Sequence, residues 1–251
     1  MKKIVILGAM STIAIACTRL WANKECEFIL IARNKDKLSQ IADDLTARGS
    51  IVHIKTSDFS DYSKHETLSK ECFEKVGNID ILLTAYGTLP DQIECEKNTD
   101  IALQEFHTNG LSVISLLNHF AMRMEKQDTV SGTISGTIAV ISSVAGDRGR
   151  ASNYLYGAAK SAVSTYCSGL RARLSRTGIH VLTIKPGFVD TQMTQHLTLP
   201  EKLTASPEQV AHDISGAITS KKDVLYTRWF WRYIMLIIVI IPNRIFKKMK
   251  F

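Results

Sequence analysis

Two spacings of apolar positions alternate along this chain. Short β-rich runs at Ile4–Leu7, Glu27–Ala32, Ile51–Lys55, Ile79–Thr84, Thr137–Ser142 and His180–Lys185 are each followed by a turn signal and a longer stretch of helical spacing. That alternation predicts a parallel, doubly wound α/β sheet in one domain, for which 251 residues provide enough chain. Such sheets bind ligands at the carboxyl ends of their strands. Gly8, Arg33, Asp58, Ala85, Ser143 and Pro186 fall there.

The first strand runs into Gly8-Ala-Met-Ser-Thr-Ile-Ala14 and then a helix. Strand, glycine turn and helix N-terminus present backbone N–H groups to a dinucleotide phosphate. The loop is degenerate, because Thr12 and Ala14 stand where a glycine-rich loop has its second and third glycines. After the second strand comes Ala32-Arg33-Asn34, with no carboxylate until Asp36. A carboxylate there would hold a ribose 2′-hydroxyl, whereas an arginine accommodates a 2′-phosphate, so Arg33 favours NADP(H) and leaves NAD(H) open.

Further along, Ser152-Asn-Tyr-Leu-Tyr-Gly-Ala-Ala-Lys160 puts Tyr156 and Lys160 four apart on one helical face. A free tyrosine has a pKa near ~10, so proton exchange at neutrality needs a shift of about three units, roughly 4 kcal/mol, which a neighbouring cation can largely supply. Ser143 ends the strand thirteen residues before Tyr156 and can reach the same pocket. Ser142 is its fallback. Adjacent strand residues face opposite ways, so only one of the two can serve.

These motifs, in this order, resemble the short-chain dehydrogenase/reductase family over nearly the whole chain. Gly8 to Ala14 matches its phosphate loop with departures at Leu7, Thr12 and Ala14. Asp58-Phe-Ser60 matches the aspartate motif at adenine, and Asn109 the helix asparagine. Ala85-Tyr-Gly87 matches a strand end that has lost both of the family's asparagines, and Pro186-Gly-Phe-Val-Asp-Thr191 matches the segment that cups the nicotinamide. The resemblance implies a Rossmann-type fold and cofactor contacts from Gly8, Ser11, Thr12, Ile13, Arg33, Asp58, Phe59, Ala85, Gly87, Tyr156, Lys160, Pro186, Gly187, Val189 and Thr191. It also implies reduction of a ketone by nicotinamide hydride: Tyr156 delivers the proton, Lys160 lowers the tyrosine pKa and holds the ribose, Ser143 binds the substrate oxygen, and Asn109 holds a water. The wording from Ile141 to Lys160, with Gly187-Phe-Val-Asp-Thr-Gln-Met193, looks closest to the decaprenylphosphoryl-2-keto-ribose reductase-like branch. That branch implies a polyprenyl-phosphoryl keto-sugar as substrate, a flavin-dependent oxidase as partner and a role in cell-envelope glycan synthesis; family habit adds a homo-oligomer. Arg150 and Asn153, just before Tyr156, are then candidate contacts to sugar or phosphate. A steroid, sphingoid or acyl ketone, and a non-catalytic nucleotide-binding membrane protein, are the alternatives.

Charge divides the chain. Residues 1–220 hold 23 Lys and Arg against 23 Asp and Glu, so the net +7 lies in residues 221–251, with 8 basic groups against Asp223 alone. The basic groups flank the apolar run Trp229–Ile241 instead of decorating a polar face, which points to lipid and away from nucleic acid. Thirteen residues interrupted by Arg232 fall short of the ~20 needed to span a bilayer, and Pro242 ends the helix. We therefore expect a catalytic domain over 1–220 and, over 221–251, an interfacial tail that seats the protein on the inner face of the cytoplasmic membrane, with a subunit-interface helix as the competing reading. The first seventeen residues have the outline of a secretory or lipoprotein signal, but removing them would strip the phosphate loop, so they are read as part of the fold. Five cysteines without paired spacing read as small buried side chains in a reducing compartment, and seven scattered histidines give no metal-ligand spacing. The tandem echo Ser131-Gly-Thr-Ile and Ser135-Gly-Thr-Ile reads as a loop insertion.

Overall fold

A computed structural model describes residues 1–127 and 135–249; the first copy of the tandem echo lies outside them. The elements follow one another as β1 (Lys2–Leu7), α1 (Thr12–Trp21), β2 (Cys26–Ala32), α2 (Lys35–Ala47), β3 (Ile51–Thr56), α3 (His65–Val76), β4 (Ile81–Thr84), α4 (Gln92–Lys97), α5 (Thr99–Phe106), α6 (Ser112–Met124) and β5 (Gly136–Ile141). Then come α7 (Tyr154–Leu174), β6 (Ile179–Pro186), β7 (Phe188–Val189), β8 (Thr204–Ala205), α8 (Pro207–Thr219), β9 (Val224–Thr227), α9 (Phe230–Ile240) and α10 (Asn243–Phe246).

Seven strands form one parallel sheet in the order β3-β2-β1-β4-β5-β6-β9, and β7 pairs with β8 apart from it. The inner strands of the sheet are buried on both faces, which is why they read as near-continuous apolar runs, whereas the edge strand β3 is half-buried to exposed. Along β1, Ile4 and Ile6 pack with Phe28, Leu30, Leu38 and Ile214 on one face, while Val5 and Leu7 pack with Leu116, Phe120, Val163 and Leu170 on the other. Each such side chain contributes roughly 1.5–3 kcal/mol of burial. All five cysteines are buried, Cys17, Cys26, Cys72 and Cys167 in this core and Cys95 on α4. Strand order reverses direction between β1 and β4, and the crevice at that point opens at the strands' carboxyl ends.

Residues 221–251 differ from the expected tail. β9 pairs in parallel with β6, from Thr183↔Val224 to Pro186↔Thr227, so the sheet continues past the boundary at residue 220. Arg171 secures this edge by donating to Val181 O at 2.9 Å, Thr183 Oγ1 at 2.8 Å and Asp223 O at 2.7 Å. Four residues beside a longer apolar run give little strand signal of their own. The charge split marks a change of surface; the fold runs through it. At Arg228 the backbone enters the left-handed region (φ 58°), which costs a non-glycine residue energy and turns the chain sharply into α9.

One face of α9 packs onto the body. Trp231, Met235 and Ile238, spaced i, i+4 and i+7, join Val144 in a third apolar cluster with Phe188, Leu203 and Tyr226. Arg148 caps the helix: Nη1 donates to the Ile238, Val239 and Ile241 carbonyls, Nη2 to Asn243 Oδ1 at 2.8 Å, and the guanidinium lies 3.7 Å from the Phe246 ring centroid. A cation on otherwise unpaired C-terminal carbonyls is the favourable end of a helix for positive charge. The other face remains open, with Ile237 65% and Ile240 69% exposed. Among the described residues no helix is long and apolar enough to cross a membrane.

Candidate active site

Gly8 turns the chain from β1 toward α1 with φ 88°, and a Cβ there would lie 2.6 Å from the Tyr86 side chain. Only glycine fits both demands. Ser11 is the N-cap of α1 but makes no side-chain cap bond, so the first-turn N–H groups around Thr12 and Ile13 are not closed off by it. Ala14, where a glycine was expected, is fully buried against the sheet. A methyl group fits that helix packing, which accounts for one of the loop's departures.

Arg33 stands exposed at the end of β2 and forms no ion pair among the described residues. Asp58 follows β3 and accepts from the Ser60 backbone N–H at 3.0 Å and the Ser60 hydroxyl at 2.8 Å. Those bonds, with a weaker contribution from Arg33, hold its carboxyl below the usual range. Phe59 is buried and lies 4.4 Å, centroid to centroid, from Tyr86. Tyr86 is thus an aromatic plug beyond the end of β4, and its hydroxyl bonds Ser112 Oγ at 2.9 Å.

Ala85 continues the line of β4 through its N–H bond to Leu7 O. Gly87, Asn109 and Lys160 converge, since a Cβ on Gly87 would stand 2.8 Å from Asn109 Oδ1 and 3.4 Å from Lys160 Nζ. Asn109 sits in a π-turn, His107–Leu111, an irregularity that often marks functional positions. Its Oδ1 accepts from Thr88 N at 2.9 Å, and Nδ2 donates to Thr88 Oγ1 at 2.8 Å and Glu105 O at 3.1 Å. One lone pair of Oδ1 is left for a water.

The two serines divide as strand alternation requires. Ser142 Oγ donates to Lys160 O at 2.9 Å and meets Ser164 Oγ at 2.7 Å, facing α7. Ser143 takes the other side, its Oγ accepting from Ala145 N at 3.1 Å and lying close enough to Tyr156 to oppose the rise of that phenol's pKa. Lys160 Nζ donates to Ile141 O at 3.2 Å and lies 5.7 Å from the Tyr156 ring centroid. Behind Ser143, Asp147 binds Lys185 Nζ and accepts from Tyr226 OH at 2.8 Å, tying the serine turn to β6 and β9. Nothing in the local sequence around Asp147 announces this brace.

Pro186 ends β6, and Val189 is buried in β7, its carbonyl accepting from Thr194 Oγ1 at 2.6 Å. Thr191 N donates to the same Thr194 hydroxyl at 3.2 Å. Gly187 has an unforeseen neighbour. A Cβ on it would fall 1.9 Å from the Trp231 indole, so α9 roofs the segment expected to cup the nicotinamide. A separate recess of about 810 Å³ between α7 and α9 includes none of Ser143, Tyr156 or Lys160 in its lining. The chemistry belongs to the strand-end cleft, where those groups meet.

Comparison with known proteins agrees with this geometry. The family model described as short chain dehydrogenase matches residues 2–202. An uncharacterized oxidoreductase of Mycobacterium tuberculosis is 34% identical over 247 residues, covering 98% of this chain and 96% of that one. Another, from Staphylococcus aureus, is 29% identical over 220 residues, covering 88% and 92%. The chain belongs to the short-chain dehydrogenase family. Two solved structures share the fold: a tryptophan variant of actinorhodin polyketide ketoreductase with NADPH (TM-score 0.75, 21% identity, 92% of this chain and 97% of that chain), and a short-chain type dehydrogenase/reductase from Mycobacterium ulcerans (TM-score 0.77, 18%, 90% and 87%).

This dehydrogenase is therefore an oxidoreductase, but its electrostatics depart from the expected tuning in one respect. Burial pushes the Tyr156 phenol up to about 12, and the Ser143 hydrogen bond only partly offsets it. Burial also brings Lys160 down to about 8, with Cys167 opposing the change. The expected lowering of Tyr156 by Lys160 is not the dominant effect. Loss of water outweighs a cation that is itself desolvated.

Proposed function

We propose that this dehydrogenase uses NADP(H), with NAD(H) as the weaker alternative, to reduce the ketone of an amphiphile at a membrane surface. The substrate class we favour is a polyprenyl-phosphoryl keto-sugar, in keeping with the resemblance to the keto-ribose reductases; a flavin-dependent oxidase is then the partner that makes the ketone. The single observation that carries the reductase reading is the meeting of half-buried Tyr156 with Lys160, whose Nζ lies 5.7 Å from its ring centroid, at the end of the strand that carries Ser143.

The chain fits the cofactor. Gly8 would open the phosphate loop, the α1 N-terminus around Ser11, Thr12 and Ile13 would hold the diphosphate, and exposed Arg33 would pair with a 2′-phosphate. When bound, the dinucleotide supplies the hydride. Ser143 and Tyr156 hold the ketone oxygen where negative charge grows. The phenol gives its proton to that oxygen as the carbon receives the hydride, leaving a secondary alcohol and a phenolate. Lys160 stabilises the phenolate, and a proton returns through the Lys160–Asn109 corner beside Gly87.

The open face of α9 supports the membrane part of the reading. Trp229, Tyr233, Leu236, Ile237 and Ile240 are exposed together, flanked by Arg228, Arg232, Arg244, Lys247 and Lys248. Apolar burial with a basic rim suits an anionic leaflet, each nearby cation adding about 1 kcal/mol. A test offers the purified protein with NADPH or NADH a polyprenyl-phosphoryl 2-keto-sugar and, separately, hydrophobic ketones without sugar. Reduction of the sugar-free ketones alone would replace the sugar reading with a lipid-ketone reductase. Flotation with anionic vesicles, comparing the native chain with an Ile237→Glu, Ile240→Glu variant, tests the membrane; equal flotation of both would leave α9 to a subunit interface.

A further inference from the structure

The helix that carries Tyr156 begins without a cap of its own. Asn153 stands at the N-cap of α7, and its side chain bonds none of the first-turn N–H groups. An uncapped first turn frays, and Tyr156 is the third residue of that turn. Deeper in the helix the backbone is anchored. Ser142 Oγ donates to the Lys160 carbonyl at 2.9 Å, and Gly157 lies so close to the serine turn that a Cβ on it would stand 2.8 Å from Ala145 O. These contacts begin one residue beyond Tyr156 and leave the turn before it to other means.

The missing bond comes from α4. Gln92 is only 7% exposed, and its Oε1 accepts from Leu155 N at 3.0 Å, an N–H of the kind that an N-cap side chain takes. One turn along α4, Glu96 Oε1 accepts from Tyr154 OH at 3.1 Å, but that pair lies at the surface, where water competes for both groups. Asp91 holds α4 itself, accepting from Ile93 N at 2.8 Å and Glu94 N at 3.1 Å. Gln92 also follows closely on the strand end where Gly87 borders Asn109 Oδ1 and Lys160 Nζ and where Thr88 N donates to Asn109. One short segment, residues 87–92, thus reaches Asn109, Lys160 and the residue before Tyr156.

We propose that Gln92 is a positioning residue for Tyr156: it supplies from α4 the cap that α7 lacks, and so fixes the backbone that places the phenol at the end of the Ser143 strand. This rests on the reductase reading above and deepens it. Gln92 acts through the Leu155 N–H, so its effect belongs to the step in which the phenol moves its proton and not to cofactor affinity. The acceptor oxygen is what counts. Methionine has nearly the shape of glutamine and no comparable acceptor, whereas glutamate keeps one, at the helix end that favours negative charge.

The full native chain, Gln92→Met and Gln92→Glu are compared by NADPH oxidation with 9,10-phenanthrenequinone as the ketone probe, by NADPH titration and by amide hydrogen exchange. Gln92→Met should lower kcat ~10-fold, short of the ~10²-fold attached to a 1 Å misplacement, with NADPH affinity held within about twofold. Exchange should quicken over residues 154–158 and stay native in β5 and in the rest of α7. Gln92→Glu should return kcat to within about threefold of the native chain and restore slow exchange in the first turn. Native turnover in Gln92→Met, or equal losses in the two variants, would overturn the proposal. Faster exchange throughout α7 and β5 would also overturn it, making Gln92 a packing residue of the whole fold. Failure of the reductase reading shows separately, as turnover that is absent from the native chain or that survives Tyr156→Phe; first-turn exchange in Gln92→Met then decides the cap by itself, and native exchange there would overturn it.

Discussion

The cleft has two walls of different origin. One, made by the end of β5 and the first turns of α7, holds Ser143, Tyr156 and Lys160 within a short stretch of sequence. The other is the inner face of α9, which reaches Gly187 from far along the chain through Trp231. The first wall carries reactive groups whose protonation burial has altered; the second carries bulk, with the indole at right angles to Phe188 and 5.3 Å from it. Chemistry is local in sequence here, and shape is assembled at long range.

Substitutions should separate the walls, and the largest expected effect lies on the second. Trp231→Ala should cost about 3–5 kcal/mol of stability by emptying the space above Gly187, read as a fall in urea midpoint. A midpoint unchanged by this substitution would mean that α9 is not docked in solution. Tyr156→Phe should do the reverse: turnover lower by ~10² or more with NADPH affinity and unfolding midpoint retained. Loss of stability in place of turnover would merge the two walls into one.

The pH profile sharpens the same contrast. Reduction needs the phenol protonated and Lys160 charged. Both hold below about 8; as pH rises through that value Lys160 loses its proton first, so reduction should decline on the alkaline side, toward tenfold per unit. A rate flat from pH 7 to 10 would show that Lys160 does not act through its charge. Smaller again is Arg33→Ala, which should weaken NADPH about 10-fold and leave NADH nearly unchanged, measured by cofactor titration. Equal losses would make Arg33 indifferent to the 2′-phosphate.

How much of this the sequence displayed follows the same division. Strands β1 to β6 were legible, the inner ones because burial on both faces writes them as near-continuous apolar runs and β3 through its β-branched residues, and Tyr156 with Lys160 because a helix puts i and i+4 side by side. Arg33 and Gly8 were legible as strand-end residues. Trp231 was not, since its partner Gly187 is unmarked by any local period; within its own run it looks like one more aromatic of a lipid-seeking helix. β9 was hidden for a related reason: four residues of strand signal were overshadowed by the charge change beside them. The direction of the Tyr156 shift was missed because sequence spacing displays a neighbour's charge but not how much water the fold removes from both groups.

The turn at Arg228 and the docking of Trp231 also impose an order on biosynthesis. Everything that α9 covers, from Gly187 back to Val144, is made before it, and the β6 edge has no neighbour on that side until β9 emerges. A ribosome-bound chain lacking these segments exposes an unpaired parallel edge and an unroofed cleft, features that invite wrong pairing with other chains. The reactive groups are therefore made before their enclosure, and the cleft is roofed only by the segment that also turns its apolar back to the surroundings.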